Sequence, residues 1–338
     1  MGYVRLRESL MTTLTLHMAD PRPKVPEGVC PMSMSSGLNF ISQLKSAHVA
    51  FSEHEGPLSI KCAFNGREFY EFEGARVAVD DSSYLVMNHG QRYASYVESH
   101  KQVESFCLWY RPGFADQALR DLTTPDDKLL DEPSGQNTLP VTFFERLTPH
   151  DDIVTPTLTR IHRAVQGGHV TSGWIEEHMH LALEQLLHAH RNAYRDVEKM
   201  PAARFGTRVE LYKRLHRSRD FLDASLDTSV SLADAASVAC LSPHHFLRTF
   251  KKVFGETPHQ YLGRKRMERA KLLVLSSDLP ITRICYDLGF ESLGSFSWLF
   301  RRNYGLSPRQ MRDNASGRIR RPAKMSGNQD AGPRVLYD

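Results

Sequence analysis

The chain has 338 residues, 41% of them hydrophobic and 24% charged, which is enough for two or three domains that each bury a core and excludes a disordered polyelectrolyte. Its formal net charge of +4 conceals an asymmetry: from residue 201 on there are 24 Lys/Arg and 13 Asp/Glu, and subtraction from totals of 43 and 39 leaves 19 and 26 before it, so the two parts carry +11 and −7. A nucleic-acid-binding module joined to an acidic domain has this distribution; the competing reading is a solvated basic surface.

At the N-terminus, "MGYVRLRESLMTTLTLHMADPRPK" lacks a signal-peptide apolar region and cleavage site, and Leu6 stands where a myristoylation pattern wants Ser or Thr. No apolar run approaches the roughly 18 residues that a membrane span needs. The five cysteines (Cys30, Cys62, Cys107, Cys240, Cys285) are far apart with no CxxC pair, arguing against a zinc module or a disulfide framework and for a reducing compartment. The expectation is a cytoplasmic protein with no membrane partner. From about Ser33 to Arg111 short aromatic and β-branched runs such as "LSIKCAFNGREFYEFEG" and "QVESFCLWYRPG" alternate with Gly, Asn, Asp and Pro, predicting a small all-β sandwich or barrel. Its histidines (His48, His54, His89, His100) form no His-x-His pattern, so neither a metal site nor catalysis is expected, and no cofactor. An aromatic-lined pocket for a small organic effector has Phe64, Tyr84, Tyr93, Phe106 and Trp109 as its candidates, with core packing as the alternative for each.

After the polar connection "TTPDDKLLDEPSGQNTLP" the period becomes helical from Thr155 to about Arg195. Met179, Ala182, Leu186, Ala189 and Ala193 recur at three- and four-residue steps, widened by Ile175, Leu183 and Leu187. That stripe is either a dimerising seam or the face that packs the helix on its own barrel. The pairs His178/His180 and His188/His190 fall in the same helix, where two-residue spacing puts partners on different faces.

From Val209 to Arg312 everything reads as helix, and one short piece occurs twice. "FKKVFGETPHQY" (250–261) and "FRRNYGLSPRQM" (300–311) share an aromatic, two bases, an aromatic, a glycine, a hydroxyl-Pro pair and a Gln; Phe246/Phe296, Phe250/Phe300, Gly255/Gly305 and Pro258/Pro308 keep an offset of fifty. Each copy follows a helix, a break (Cys240-Leu241, Gly289-Phe290) and a second helix that begins near Ser242 or Ser292. Thr257 with Gln260, and Ser307 with Gln310, form capping-box signals. The helix between the copies, about 18 residues or roughly 27 Å, is of a length to set two recognition helices about one DNA turn apart. The repeat then answers to a periodic target.

The stretch from about Leu211 to Arg312, above all "ITRICYDLGFESLGSFSWLFRRNYGLSPRQMR", resembles the DNA-binding domain of AraC/XylS-type bacterial transcription regulators. The resemblance implies a cupin-like N-terminal β barrel for effector binding or dimerisation, a C-terminal all-α domain of two helix-turn-helix motifs, and a non-enzymatic regulator, usually an activator, that binds double-stranded DNA and touches RNA polymerase as a homodimer. The implied domains are 1–150 (cupin-like), 151–204 (helical linker or dimerisation segment), 205–312 (double helix-turn-helix) and 313–338 (disordered basic tail). A rival is a regulator controlled by its abundance or by a protein partner, with an N-terminal domain that only dimerises. In the first recognition helix His244, Leu247 and Arg248 are expected at base edges, Arg248 foremost because a guanidinium bonds guanine O6 and N7 together. His245, Lys251 and Lys252 are expected on phosphates. In the second, Ser295, Ser297 and Trp298 face bases and Arg301 and Arg302 phosphates, while Trp298 stands where the family often has Arg, so polar reading is expected mainly from the first helix. Cys240 occupies a turn position where the family favours Gly, and Cys285 replaces a core Ala; no thiolate-stabilising neighbour in the sequence favours redox sensing by either.

Overall fold

Among the described residues before residue 150, eight strands form: β1 (Thr13–Met18), β2 (Phe40–Glu55), β3 (Ser59–Phe64), β4 (Arg67–Phe72), β5 (Ala75–Asp80), β6 (Ser83–Met87), β7 (Arg92–Trp109) and β8 (Leu147–Pro149). The computed structural model describes residues 13–18, 37–123, 140–168 and 170–315. Ten helices occur among them: α1 (Phe114–Thr123), α2 (Thr155–Gln166), α3 (Ser172–Glu198), α4 (Phe205–Ala224), α5 (Leu232–Val238), α6 (Pro243–Phe254), α7 (Pro258–Ser276), α8 (Ile281–Asp287), α9 (Leu293–Tyr304) and α10 (Pro308–Ala315).

All the strand ladders are antiparallel, in the order β1-β2-β7-β3-β6-β8, with β4 pairing both β5 and β7 to make a nearly closed barrel. The long β7 carries β4 beside its first half and β3 beside its second, which is how one strand lines two walls. Alternation along β3 sorts its side chains between two cores. Ile60 and Cys62 face the helices with Phe106, Leu108 and Tyr84, whereas Ala63 joins Tyr70, Val77, Val79, Leu85, Met87 and Tyr93 inside the barrel. The β4–β5 hairpin turns through Glu73 (φ 49°) and Gly74 (φ 73°), the doubly left-handed turn that matches strand twist.

Helix α3 spends its apolar stripe on this barrel. Ile175, Met179, Ala182, Leu183, Leu186 and Leu187 are all buried in the cluster that holds Ile60, Val86, Phe106 and Leu108. Of the two sequence alternatives the structure takes self-packing, so residues 151–204 do not offer this stripe to a second chain. The histidine pairs part company as their spacing predicts: His178 stacks on Trp174 (3.8 Å between centroids), His180 meets Glu184 (3.3 Å), and His190 lies among Phe143, Phe144 and Tyr194.

By packing, the chain divides into residues 1–225 with 229–262, and residues 226–228 with 263–338. The first unit by packing includes the barrel and the first helix-turn-helix together. Helix α4 explains why. Its Asp220, 1% exposed, accepts from the Leu147 backbone N–H of β8 (2.7 Å), and Arg219 donates to Leu147 O (2.8 Å) and to Asp220 (2.7 Å). Arg217 pairs with Glu73, and Arg76 donates to Ala224 O (3.1 Å). Helix α10 runs to Ala315, three residues past the expected boundary at Arg312, and the rest of the expected tail lies outside the described residues.

Candidate nucleic-acid interface

In the first helix-turn-helix, Ser231 opens α5 with a complete capping box: its hydroxyl accepts from Asp234 N–H (3.1 Å) and the Asp234 carboxylate accepts from Ser231 N–H (2.9 Å). Helix α5 ends at a turn in which Leu241 N–H reaches back to Ala236 O (3.0 Å). That turn requires a left-handed residue, and Cys240 supplies it at φ 50°. Ser242 then caps α6 by accepting from His245 N–H (3.4 Å), Pro243 fills the first helical position, and Gly255 closes the helix at φ 79°. Phe246 and Phe250 are fully buried one helical turn apart, their rings 5.3 Å from each other.

The second motif repeats this chemistry. Phe290 N–H bonds Cys285 O (3.1 Å), Gly289 takes the left-handed turn (φ 68°), Ser292 accepts from Ser295 N–H (3.1 Å), and Gly305 closes α9 at φ 76°. Phe296 and Phe300 are fully buried. Thr257/Gln260 and Ser307/Gln310 make identical reciprocal pairs, each with the backbone N–H of the hydroxyl residue 3.0 Å from the Gln Oε1 and the return bond at 3.3 Å. The fifty-residue offset holds only from Ser242/Ser292 onward. Ahead of it the matching turn residues are Cys240/Gly289, Leu241/Phe290 and Ala236/Cys285, forty-nine apart, because Glu291 adds one residue to the second turn. Arg266 of α7 holds that longer turn, donating to Leu226 O (3.0 Å), Thr228 O (2.6 Å) and Gly289 O (3.4 Å). The cysteines differ in setting: Cys285 is buried and burial pushes its thiol up, whereas Cys240 is exposed.

On α6, His244, His245, Arg248, Lys251 and Lys252 are exposed, and among the described residues the side chains of Arg248, Lys251 and Lys252 carry no ion pair. Leu247 is half-buried instead, lining an apolar cavity of about 230 Å³ with Leu222, Val230, Leu232, Pro258 and Leu262, so it offers less to a base edge than its sequence position implies. On α9, Ser295, Trp298, Arg301 and Arg302 are exposed and Ser297 is half-buried. Ser295 is already engaged with Ser292 through both its N–H and its hydroxyl (Oγ–Oγ 2.9 Å). Arg302 lies 5.4 Å from the centre of the Trp298 ring.

The five aromatics named for an effector fall in different packing clusters of the barrel. Phe64, Tyr84 and Phe106 lie on the helix-facing side of the barrel, where Tyr84 borders a cavity of about 30 Å³ with Phe143, Phe144, Arg146 and His190. Burial, with Arg146 and Lys213 nearby, pushes the His190 imidazole down to about 4. Tyr93 and Trp109 lie on the other side, around a residue that sequence reasoning passed over. Lys61, 2% exposed, sits with Nζ 3.3 Å from the centre of the Trp109 ring and 3.0 Å from the Tyr93 hydroxyl. Glu68, 3% exposed, is buried in the same wall, where it accepts from the Ser105 hydroxyl, and desolvation raises its carboxyl above the ordinary range. A lysine in the middle of the apolar strand "SIKCAF" was the signal available.

The family match falls in the second half of the chain. Residues 235–314 match a family described as a helix-turn-helix domain. The probable transcriptional regulator LumQ of Photobacterium leiognathi is 40% identical over 89 residues, 26% of this chain and 36% of that protein. The transcriptional activator RhaS of Enterobacter sp. (strain 638) is 36% identical over 99 residues, 29% of this chain and 36% of its own length. The chain thus spans about a third of these curated relatives. Among solved structures, the DNA-binding domain of AdpA in complex with a target DNA is 26% identical, covering 31% of this chain and 96% of that one with a TM-score of 0.30; ToxT of Vibrio cholerae strain SCE256 is 14% identical, covering 82% and 96% with a TM-score of 0.29. The C-terminal part of the chain thus carries a helix-turn-helix domain similar to that of the regulators LumQ and RhaS.

Proposed function

We propose that the protein is a sequence-specific DNA-binding transcription regulator, an activator that contacts RNA polymerase and answers to a small-molecule effector held by its N-terminal barrel. The observation that carries this reading is the duplicated helix-turn-helix, in which each recognition helix buries its aromatic pair and leaves a basic outer face: Arg248, Lys251 and Lys252 on α6, Arg301 and Arg302 on α9. Such a face neutralises phosphates and sets base-reading side chains in the major groove. Activation is proposed from relatives such as RhaS, whose name describes a transcriptional activator. An effector is proposed for the barrel, whose wall buries Lys61 and Glu68 among Tyr70, Tyr93 and Trp109, polar groups set within an aromatic lining of the kind that small-molecule sites use. A homodimer, if it forms, takes a surface other than the α3 stripe.

The test uses the full-length protein, because the first motif packs with the barrel. Genomic fragments recovered in vitro at near-physiological salt are expected to fall on a few sharp sites. Diffuse recovery would overturn the sequence-specific reading. A thermal-shift screen of metabolites separates the effector from its rival: a specific DNA complex with no stabilising metabolite favours control by abundance or by a partner protein.

A further inference from the structure

Trp298 is 63% exposed, the most exposed of the large apolar side chains among the described residues, and it sits on the outer face of α9. A solvated indole on a surface helix has no packing role. Its neighbours on that face are Gly294 one turn before and Arg301 and Arg302 one turn after. A Cβ at Gly294 would meet nothing nearer than Ser292 Oγ at 3.9 Å, so the helix presents a shallow step in front of the ring. Arg302 keeps its guanidinium carbon 5.4 Å from the ring centre, which braces the indole along the helix.

Ahead of Trp298, the side chains of this helix that could meet base edges are single hydroxyls or apolar. Ser295 donates its N–H to Ser292 Oγ and its own Oγ accepts from the Ser292 hydroxyl, Ser297 is half-buried, and Leu293 is apolar. None of them offers the paired donors or acceptors that distinguish guanine or adenine in the major groove. One feature of that groove rewards an apolar surface, the C5 methyl of thymine. We propose that Trp298 is the specificity-determining residue of the second recognition helix and reads thymine through its C5 methyl group. The inference rests on the DNA-binding reading above and adds to it the chemistry that one half-site must present. It assigns the two helices different languages: Arg248 on α6 reads by hydrogen bonds, and Trp298 on α9 reads by apolar contact.

The experiment uses a specific site recovered with the full-length protein, with thymines replaced by deoxyuridine in one half-site at a time. Deoxyuridine removes the methyl and leaves base pairing intact. Affinity is expected to fall about three- to tenfold when the half-site read by α9 is substituted, and Trp298→Ala is expected to bind the thymine and deoxyuridine sites alike. A second variant, Trp298→Arg, is expected to lose the methyl dependence while shifting preference at that position toward guanine. If the wild type binds a specific site tightly and deoxyuridine in neither half-site changes it, Trp298 grips the backbone or another partner and the inference fails alone. If no specific complex forms on any fragment, the DNA-binding reading fails and takes this inference with it.

Discussion

At the scale of the residue, two cations on one helix are expected to behave differently. Arg248 lies in the middle of the exposed face of α6, the position proposed for reading guanine O6 and N7, whereas Lys251 lies in the last turn, the position proposed for a phosphate contact. Arg248→Ala is expected to cost about 1–3 kcal/mol on the specific site and to relax discrimination at one or two positions. Lys251→Ala is expected to weaken specific and random DNA similarly and to reduce the salt slope by about one. Titrations of both variants on both DNAs over a salt series check this, and equal losses on the two DNAs for Arg248→Ala would remove it from the base readers. Cys240 gives a stability prediction that is independent of DNA. It holds a left-handed φ of 50° at the turn position that Gly289 fills in the second copy. Because an L side chain is strained there, Cys240→Gly is expected to stabilise the protein by about 1 kcal/mol, read from the urea midpoint at unchanged slope.

At the scale of the element, what the sequence disclosed was local and what it concealed was tertiary. The caps at Ser242 and Ser292 and the two hydroxyl–Gln boxes are fixed by neighbours three or four residues away, and each is built as its spacing predicts. The α3 stripe has the right period for two destinations, and only the barrel wall decides between them. The effector aromatics were pooled by residue type, but strand alternation sends Phe106 to one side and Trp109, three residues on, to the other. Lys61 escaped notice because a single lysine in an apolar strand reads as a surface residue until its strand proves covered on both sides. The same dependence on tertiary partners governs the latch between α2 and the barrel. Glu104 of β7 accepts from His162 Nε2 of α2 (2.5 Å) and from Gln43 of β2 (2.7 Å), with Lys45 at 3.5 Å. Burial alone would raise its carboxyl, but those hydrogen bonds and positive charges outweigh burial and hold it at about 2. A depressed carboxyl stabilises the fold above its unfolded value of about 4.3, and that contribution is lost as pH falls toward about 2. The stability gap between wild type and Glu104→Gln is therefore expected to narrow steadily as urea unfolding is taken from about pH 5 to about pH 2.5. A gap independent of pH would show that the bonds to Glu104 matter only as packing.

At the scale of the molecule, the duplication implies a constraint that neither copy imposes by itself. One polypeptide carries both recognition helices, and the 19-residue α7 connects their motifs without a break. A pair of readers on one chain addresses two half-sites at a separation set by that chain, whereas a pair assembled from two chains takes its separation from the dimer contact. The α3 stripe that suggested such a contact is buried within its own domain. The recovered sites are therefore expected to contain two unlike motifs, one read by α6 and one by α9, about one helical turn or 10–10.5 base pairs apart. Inserting about five base pairs between them turns one motif to the far side of the duplex and is expected to abolish specific binding. Inserting about ten restores the face but lengthens the reach by about 34 Å, so binding by one chain to both motifs is expected to remain lost. Recovery of affinity with the longer insertion would mean that the two motifs are read by separate molecules, and that the repeat serves a function other than doubling the reach of one chain.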